Sequence, residues 1–189
     1  MRAVEGCFIE AFDFVSKNYF DELLMVDERH FEDADAFKLF SEFAFVVINS
    51  GMKNQIAQKI YVRFVENGFD PSVIGHLGKR KAIETAIKEH RRWFDTLKQM
   101  NNKVDYLETL PWIGPITKFH LARNLGIDCA KPDRHLVRLA LLFGYKGNVA
   151  EMCDYLAKEF GMRVGTVDLI LWRYCNNFGS RNVIQEAIG

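Results

Sequence analysis

The sequence predicts an all-α fold on three observations. Apolar residues recur along most of the chain at i, i+3, i+4 and i+7, the spacing that lines one face of a helix. No run shows sustained period-2 alternation closed by hairpin turns, so no sheet is required. The 189 residues are 49% hydrophobic and 26% charged with only 4 Pro and 13 Gly, which excludes disordered, collagen-like and low-complexity chains. At this mass roughly 70% of the unfolded chain's surface is expected to be buried, so a single domain with two lobes over residues 1–189 is sufficient.

About nine or ten helices are predicted. Ala36, Phe37, Phe40, Phe43, Ala44, Val47 and Ile48 mark a helix buried along a broad face, and Ile56, Ile60, Phe64 and Val65 continue the pattern until Asn67-Gly68 stops it. Phe69 to Ser72 turn into a short helix. Lys79 to Met100 form a basic helix whose inner face holds Ile83, Ala86, Ile87, Trp93, Phe94 and Leu97. Asp105 to Thr109 form a short helix that ends at Leu110-Pro111, and Ile116 to Leu125 form another closed by Gly126. After the loop Ile127 to Pro132, Asp133 is placed to N-cap a helix carrying Leu136, Val137, Leu139, Ala140 and Phe143. Asn148 to Phe160 and Thr166 to Tyr174 are two further helices, and Ser180 starts a last short one.

Charge and cysteine usage narrow the classes further. Basic and acidic residues balance at 25 each, which argues against a protein held to nucleic acid by bulk charge. The balance is nevertheless segregated: residues 1–42 carry 4 basic and 11 acidic residues, a net of −7, leaving +7 for residues 43–189. A polyanion is expected to meet the second part, and the acidic first part is a candidate partner-docking segment. Cys7, Cys129, Cys153 and Cys175 lie 22 or more residues apart with no CxxC pair, so a zinc ribbon or iron–sulfur cluster is not expected. The five histidines show no metal-ligand spacing. With no basic-then-apolar leader and no apolar run of about 18 residues, a cytoplasmic location with reduced thiols and no membrane partner is expected.

Leu110-Pro111-Trp112-Ile113-Gly114-Pro115 is the informative segment. A tight hairpin with Gly just before a helix turns backbone N–H groups and a positive dipole end outward, and such an end binds phosphate. The bland alternative is a plain helix–helix turn. With Ala122-Arg123-Asn124-Leu125-Gly126 and then Lys131-Pro132-Asp133-Arg134-His135 downstream, the segment resembles the helix-hairpin-helix DNA glycosylase superfamily, the endonuclease III and 3-methyladenine glycosylase kind. The Leu-Pro-x-Ile-Gly hairpin followed 19 residues later by an Asp, with His two residues beyond, is the specific part. Phe43 to Phe64, Lys79 to Ile83 and Val167 to Trp172 extend the resemblance to other parts of that fold.

The resemblance implies a two-lobed glycosylase, with the helix-hairpin-helix at about 103–125, one lobe over about 30–140, and the other made by the N-terminal and C-terminal helices. It implies Asp133 as the catalytic carboxylate, beside its plain role as an N-cap. DNA contacts are expected from Trp112, Gly114, Ile116, Lys118, Lys131, Arg134 and His135, with a net of +3 over residues 111–138 and +4 over residues 79–92. Met52, in the polar turn Asn49 to Asn54, is the candidate wedge for base flipping. Trp112 replaces the hairpin's usual first Gly; it either crowds the phosphate, stacks on the DNA sugar, or covers the hairpin's own core.

Strand-cutting relatives carry a Schiff-base lysine where this chain has Ile116, and Lys118 lies about 200° further round the helix, so no lyase activity is expected. The same replacement counts against the lysine-dependent 8-oxoguanine enzymes. No organic cofactor is expected, and the resemblance implies a structural monovalent cation, sodium or potassium, at the hairpin backbone near Leu110 and Ile113. The expected partner is double-stranded DNA with a damaged base, met by a monomer. The favoured substrate is an alkylated purine; a mismatch uracil or thymine glycosylase and a non-catalytic helix-hairpin-helix DNA-binding protein are the alternatives.

Overall fold

The computed structural model describes residues 3–179. It is all-helical over those residues, and the chain divides into two compact units. The final short helix expected from Ser180 lies outside the described residues.

One unit combines residues up to 30 with those from 128 onward. It contains α1 (Ala3–Asn18), α2 (Phe20–Asp27), α8 (Arg134–Leu142), α9 (Val149–Phe160) and α10 (Val164–Phe178). The last helix, α10, packs against the other four and is buried over most of its length. Phe8, Ala11, Val15, Leu136, Leu139, Met152, Leu156, Val167, Ile170 and Leu171 form the core. Polar ties fix α2 on α10: Arg173 Nε and Nη2 reach the Glu22 carboxylate at 2.6 and 2.9 Å, and the Thr166 hydroxyl donates to Asp27 Oδ1 at 2.8 Å. Gly161, at φ 65, ends α9 in the left-handed conformation that a side chain resists.

The other unit is residues 31–127. It contains α3 (Ala36–Asn49), α4 (Asn54–Glu66), α5 (Leu77–Gln99), α6 (Lys103–Glu108) and α7 (Thr117–Asn124), with 3₁₀ turns at Phe31–Asp33 and Pro71–Val73. Asp35 caps α3 by accepting the Lys38 N–H at 2.7 Å. Helix α3 is the central one: Leu39, Phe40, Phe43, Ala44, Val46, Val47 and Ile48 are all buried, chiefly against Ile83, Ala86, Trp93 and Leu97 of α5.

Three expectations are corrected here. The inward face of α4 is Ala57 and Phe64, whereas Ile56, at 52% exposure, and Val65 face solvent. Phe37 and Ile87 are also exposed, with Phe37 lying edge-on to Phe69. The hairpin lobe ends at residue 127 and not near 140. Residues 128–142 join the other unit because Leu136, Leu139 and Ala140 enter the core that holds Phe8 and Ile170. Among the described residues no helix is long and apolar enough to cross a membrane.

Candidate functional site

The hairpin joins α6 to α7. Buried Leu110 and Ile113 pin it inward, and the Ile113 N–H donates to the Leu110 carbonyl at 3.1 Å to close the turn. Between them Trp112 sits at φ 68, so a left-handed residue is built into this turn. For a residue other than glycine that conformation costs roughly 1–2 kcal/mol, a cost that glycine would avoid. The Gly114 N–H is taken by the Thr117 hydroxyl at 2.8 Å, and helical bonding starts with Lys118 N–H to the Gly114 carbonyl at 3.0 Å. The N–H groups of Ile116 and Thr117 therefore stand ahead of the helical ladder, at the positive end of α7. Ile116 is exposed beside them.

Lys118, expected at a phosphate, is engaged within the hairpin. Its ammonium lies 2.6 Å from Glu108 Oε2 and 2.9 Å from Asp105 Oδ1, both on α6, and its side chain is only 13% exposed. Hydrogen bonds to Glu108 and then Asp105 hold its pKa above the ordinary lysine value. The charge is neutralised within the hairpin, which it clamps. Lys79 is likewise removed from the basic face of 79–92. It is 5% exposed, and its ammonium donates to the carbonyls of Ile48 at 2.8 Å and Ser50 at 2.6 Å, closing the C-terminus of α3. Burial lowers its pKa. Arg80 donates to the Ser72 and Ile74 carbonyls, Arg92 and Lys98 pair with Glu89 and Asp95, and Lys81, Lys88 and Arg91 are further exposed cations of that helix.

Trp112 is 43% exposed, and its ring reaches the turn that follows α3. Its indole N–H donates to Ser50 Oγ at 2.9 Å, and its ring packs edge-on to His76 with centroids 5.1 Å apart. Met52, half-buried, follows Ser50 and Gly51 in the turn between α3 and α4.

Asp133 belongs to the other unit and caps α8. Its Oδ1 accepts both the His135 N–H at 2.8 Å and the Leu136 N–H at 3.0 Å, so Oδ2 takes no part in the cap. The loop before it is fixed at both ends by α10. The Asp128 carboxylate accepts the N–H groups of Gly165 at 2.7 Å and Val164 at 3.2 Å. Asp168 Oδ1 accepts the Lys131 N–H at 2.8 Å, and the Asp133 N–H donates to the Lys131 carbonyl at 2.8 Å. The Lys131 side chain is half-buried and Arg134 is exposed, with its Nε donating to His135 Nε2 at 3.3 Å. Ser50, Asp128 and Asp168 have positioning roles that sequence reasoning missed. For Asp168 a signal existed, a lone carboxylate within the apolar run Val167 to Trp172. For Ser50 none did.

No protein-family model and no curated protein sequence matches this chain. Among solved structures it is similar to the crystal structure of the 8-oxoguanine DNA glycosylase of Thermotoga maritima, with a TM-score of 0.62 and 19% identity over 89% of this chain and 95% of that one. The chain shares the fold of that structure. The 8-oxoguanine DNA glycosylase of Methanocaldococcus jannaschii matches equally well, with a TM-score of 0.62 and 17% identity over 89% of this chain and 94% of that one.

Proposed function

We propose that this chain is a DNA glycosylase of base excision repair that removes a damaged purine from double-stranded DNA as a monomer. The observation that carries the reading is the Asp133 carboxylate: it follows the hairpin by 19 residues, is held by a doubly anchored loop, and keeps Oδ2 outside its helix cap. Cleavage of an N-glycosidic bond develops positive charge on the deoxyribose. A preorganised carboxylate beside the sugar stabilises that charge and orients the attacking water. The first-turn N–H groups of α7 suit a backbone phosphate, and Lys131, Arg134 and His135 supply side-chain contacts near Asp133. Ile116 in place of a nucleophilic lysine supports base removal without strand cleavage. At the hairpin the donors near Leu110 and Ile113 are neutral backbone carbonyls, a set that suits a monovalent hard cation. Bound there, the cation would add positive charge beside the phosphate.

An alkylated purine remains the proposed substrate. A second reading, an oxidised purine, is favoured by the activity of the two similar solved structures. The test is a panel of duplexes carrying 3-methyladenine, 8-oxoguanine, or uracil and thymine mismatches, with alkali to reveal abasic sites. Base release from one purine lesion supports the reading. Release from none of the panel, with duplex binding retained, leaves the non-catalytic DNA-binding protein.

A further inference from the structure

Three separate segments of the 31–127 unit meet at Ser50. Its N–H donates to the Val46 carbonyl at 3.0 Å and its hydroxyl donates to the Val47 carbonyl at 2.8 Å, ending α3. Its carbonyl accepts the buried ammonium of Lys79 from the start of α5. Its hydroxyl oxygen accepts the indole N–H of Trp112 from the hairpin. Each group is satisfied once, and every donor has an acceptor. Immediately after Ser50 come Gly51, at φ 71 with open space around it, and Met52, whose N–H makes only a long bond of 3.2 Å to the Asn49 carbonyl.

The fit of the indole is close. A Cβ added at Gly78, in the first turn of α5, would lie 2.4 Å from Cζ3 and 2.8 Å from Cη2 of Trp112. Only glycine at 78 lets the ring lie where its N–H reaches Ser50. The hairpin thus holds a large side chain at a left-handed position and sets it against Ser50 and His76, both outside the hairpin.

We propose that Trp112 is a positioning residue that ties the hairpin to the turn at 50–53, setting the phosphate-gripping element and the turn carrying Met52 in one register. The proposal rests on the glycosylase reading. It assigns Trp112 a task that a glycine in the same turn could not perform.

Three variants attack the tie from different sides. Trp112→Phe keeps a ring but removes the N–H, Ser50→Ala removes the acceptor, and Gly78→Ala displaces the ring from a helix position where Ala itself is favourable. The first measurement uses no DNA. Amide hydrogen exchange at Gly51, Met52 and Lys53 should rise about three- to tenfold in each variant, the scale of one lost hydrogen bond. Trp112→Phe combined with Ser50→Ala should give no more than Ser50→Ala alone, because Ser50→Ala already removes the indole bond together with the hydroxyl bond to Val47. The second measurement reads 2-aminopurine fluorescence beside a lesion at saturating protein. The flipped signal per bound duplex should fall in all three variants. Unchanged exchange, multiplicative effects in the double variant, or a parental 2-aminopurine signal with raised exchange would each overturn the proposal. A parent protein that binds no lesion duplex overturns the glycosylase reading instead, and the exchange data still decide whether the tie exists.

Discussion

The backbone N–H of Lys131 donates to Asp168 Oδ1 at 2.8 Å, and that bond fixes the loop on which Asp133 stands. Asp168 is 1% exposed within α10, the most enclosed helix of its unit, so the anchor is as rigid as the core around it. Asp128 secures the beginning of the same loop on the N-terminus of α10. Asp133 is thereby oriented before any ligand arrives, which is what an electrostatic role in catalysis requires.

Replacing Asp133 by Asn separates capping from catalysis. Asn caps a helix about as well as Asp, since its side-chain oxygen can still accept the His135 and Leu136 N–H groups. The thermal midpoint should therefore move little, whereas Asp133→Ala should cost about 1 kcal/mol of cap energy. Base release by the Asn variant should fall by at least the 2.7–4 kcal/mol in barrier, roughly, that loss of one charge-stabilising group costs. Single-turnover release at the parental rate on a confirmed substrate would remove Asp133 from the catalytic role.

Borohydride should trap no covalent adduct with lesion DNA. On the proposed reading Ile116 stands where a nucleophilic lysine would be needed, and the nearby amine of Lys118 is held protonated between Glu108 and Asp105. Strand breaks should then appear only after alkali. An adduct that disappears in Lys118→Ala would show that the clamp opens and that the amine reacts.

Gly114→Ala tests the hairpin without disturbing the fold. A Cβ there meets nothing within 4 Å and the residue has no positive φ, so the variant should match the parent in circular dichroism and thermal midpoint. Duplex affinity should nevertheless fall, and Gly114→Asp should abolish it, because a carboxylate would face the phosphate. The parent's affinity should decline with salt at a slope equivalent to about three or four phosphates, each contributing about −0.9 in log K against log salt. A Gly114→Asp variant that is folded and binds like the parent would reduce the hairpin to a turn.

The four cysteines report on one unit alone, since Cys7, Cys129, Cys153 and Cys175 all lie in the unit formed by residues up to 30 and from 128 onward. Burial pushes the thiols of Cys7 and Cys175 from 9.0 up to about 12 and raises that of Cys153, while Cys129 is only half-buried. In the native protein near pH 8 a disulfide reagent should reach Cys129 well before the other three. Between pH 9 and 12 the unfolded thiols lose protons that the folded ones keep, so stability should decline across that window. The urea midpoint read by thiol labelling should drop from pH 9 to 11; a midpoint that holds or rises contradicts this account of the buried thiols.

Much of the fold was legible because helices announce themselves within a few turns of sequence. The periodicity of α3 and α5, the stop at Asn67-Gly68 and the Asp133 cap all depend on residues within about four positions of one another. The stripe on α4 was misplaced because Ile56, Ala57, Ile60, Phe64 and Val65 allow two faces about a residue apart. Only packing chose the one led by Ala57 and Phe64. At the site, the turn away from the lysine position was legible for Lys118 from helix geometry, but the two carboxylates waiting for it were not.

By itself the sequence determined the helices, the hairpin between two of them, and the carboxylate 19 residues beyond it, because each rests on local backbone hydrogen bonding and a repeat of 3.6 residues. The fate of the charges and of Trp112 belonged to the tertiary structure. Lys79 reads as a surface cation until α3 ends against it, and Trp112 reads as an intruder in a glycine turn until Ser50, 62 residues away, accepts its N–H. The Lys131 and Asp168 bond spans 37 residues in the same way. Desolvation and hydrogen-bond partners are set by which distant segments come to lie together, and no local pattern carries that information.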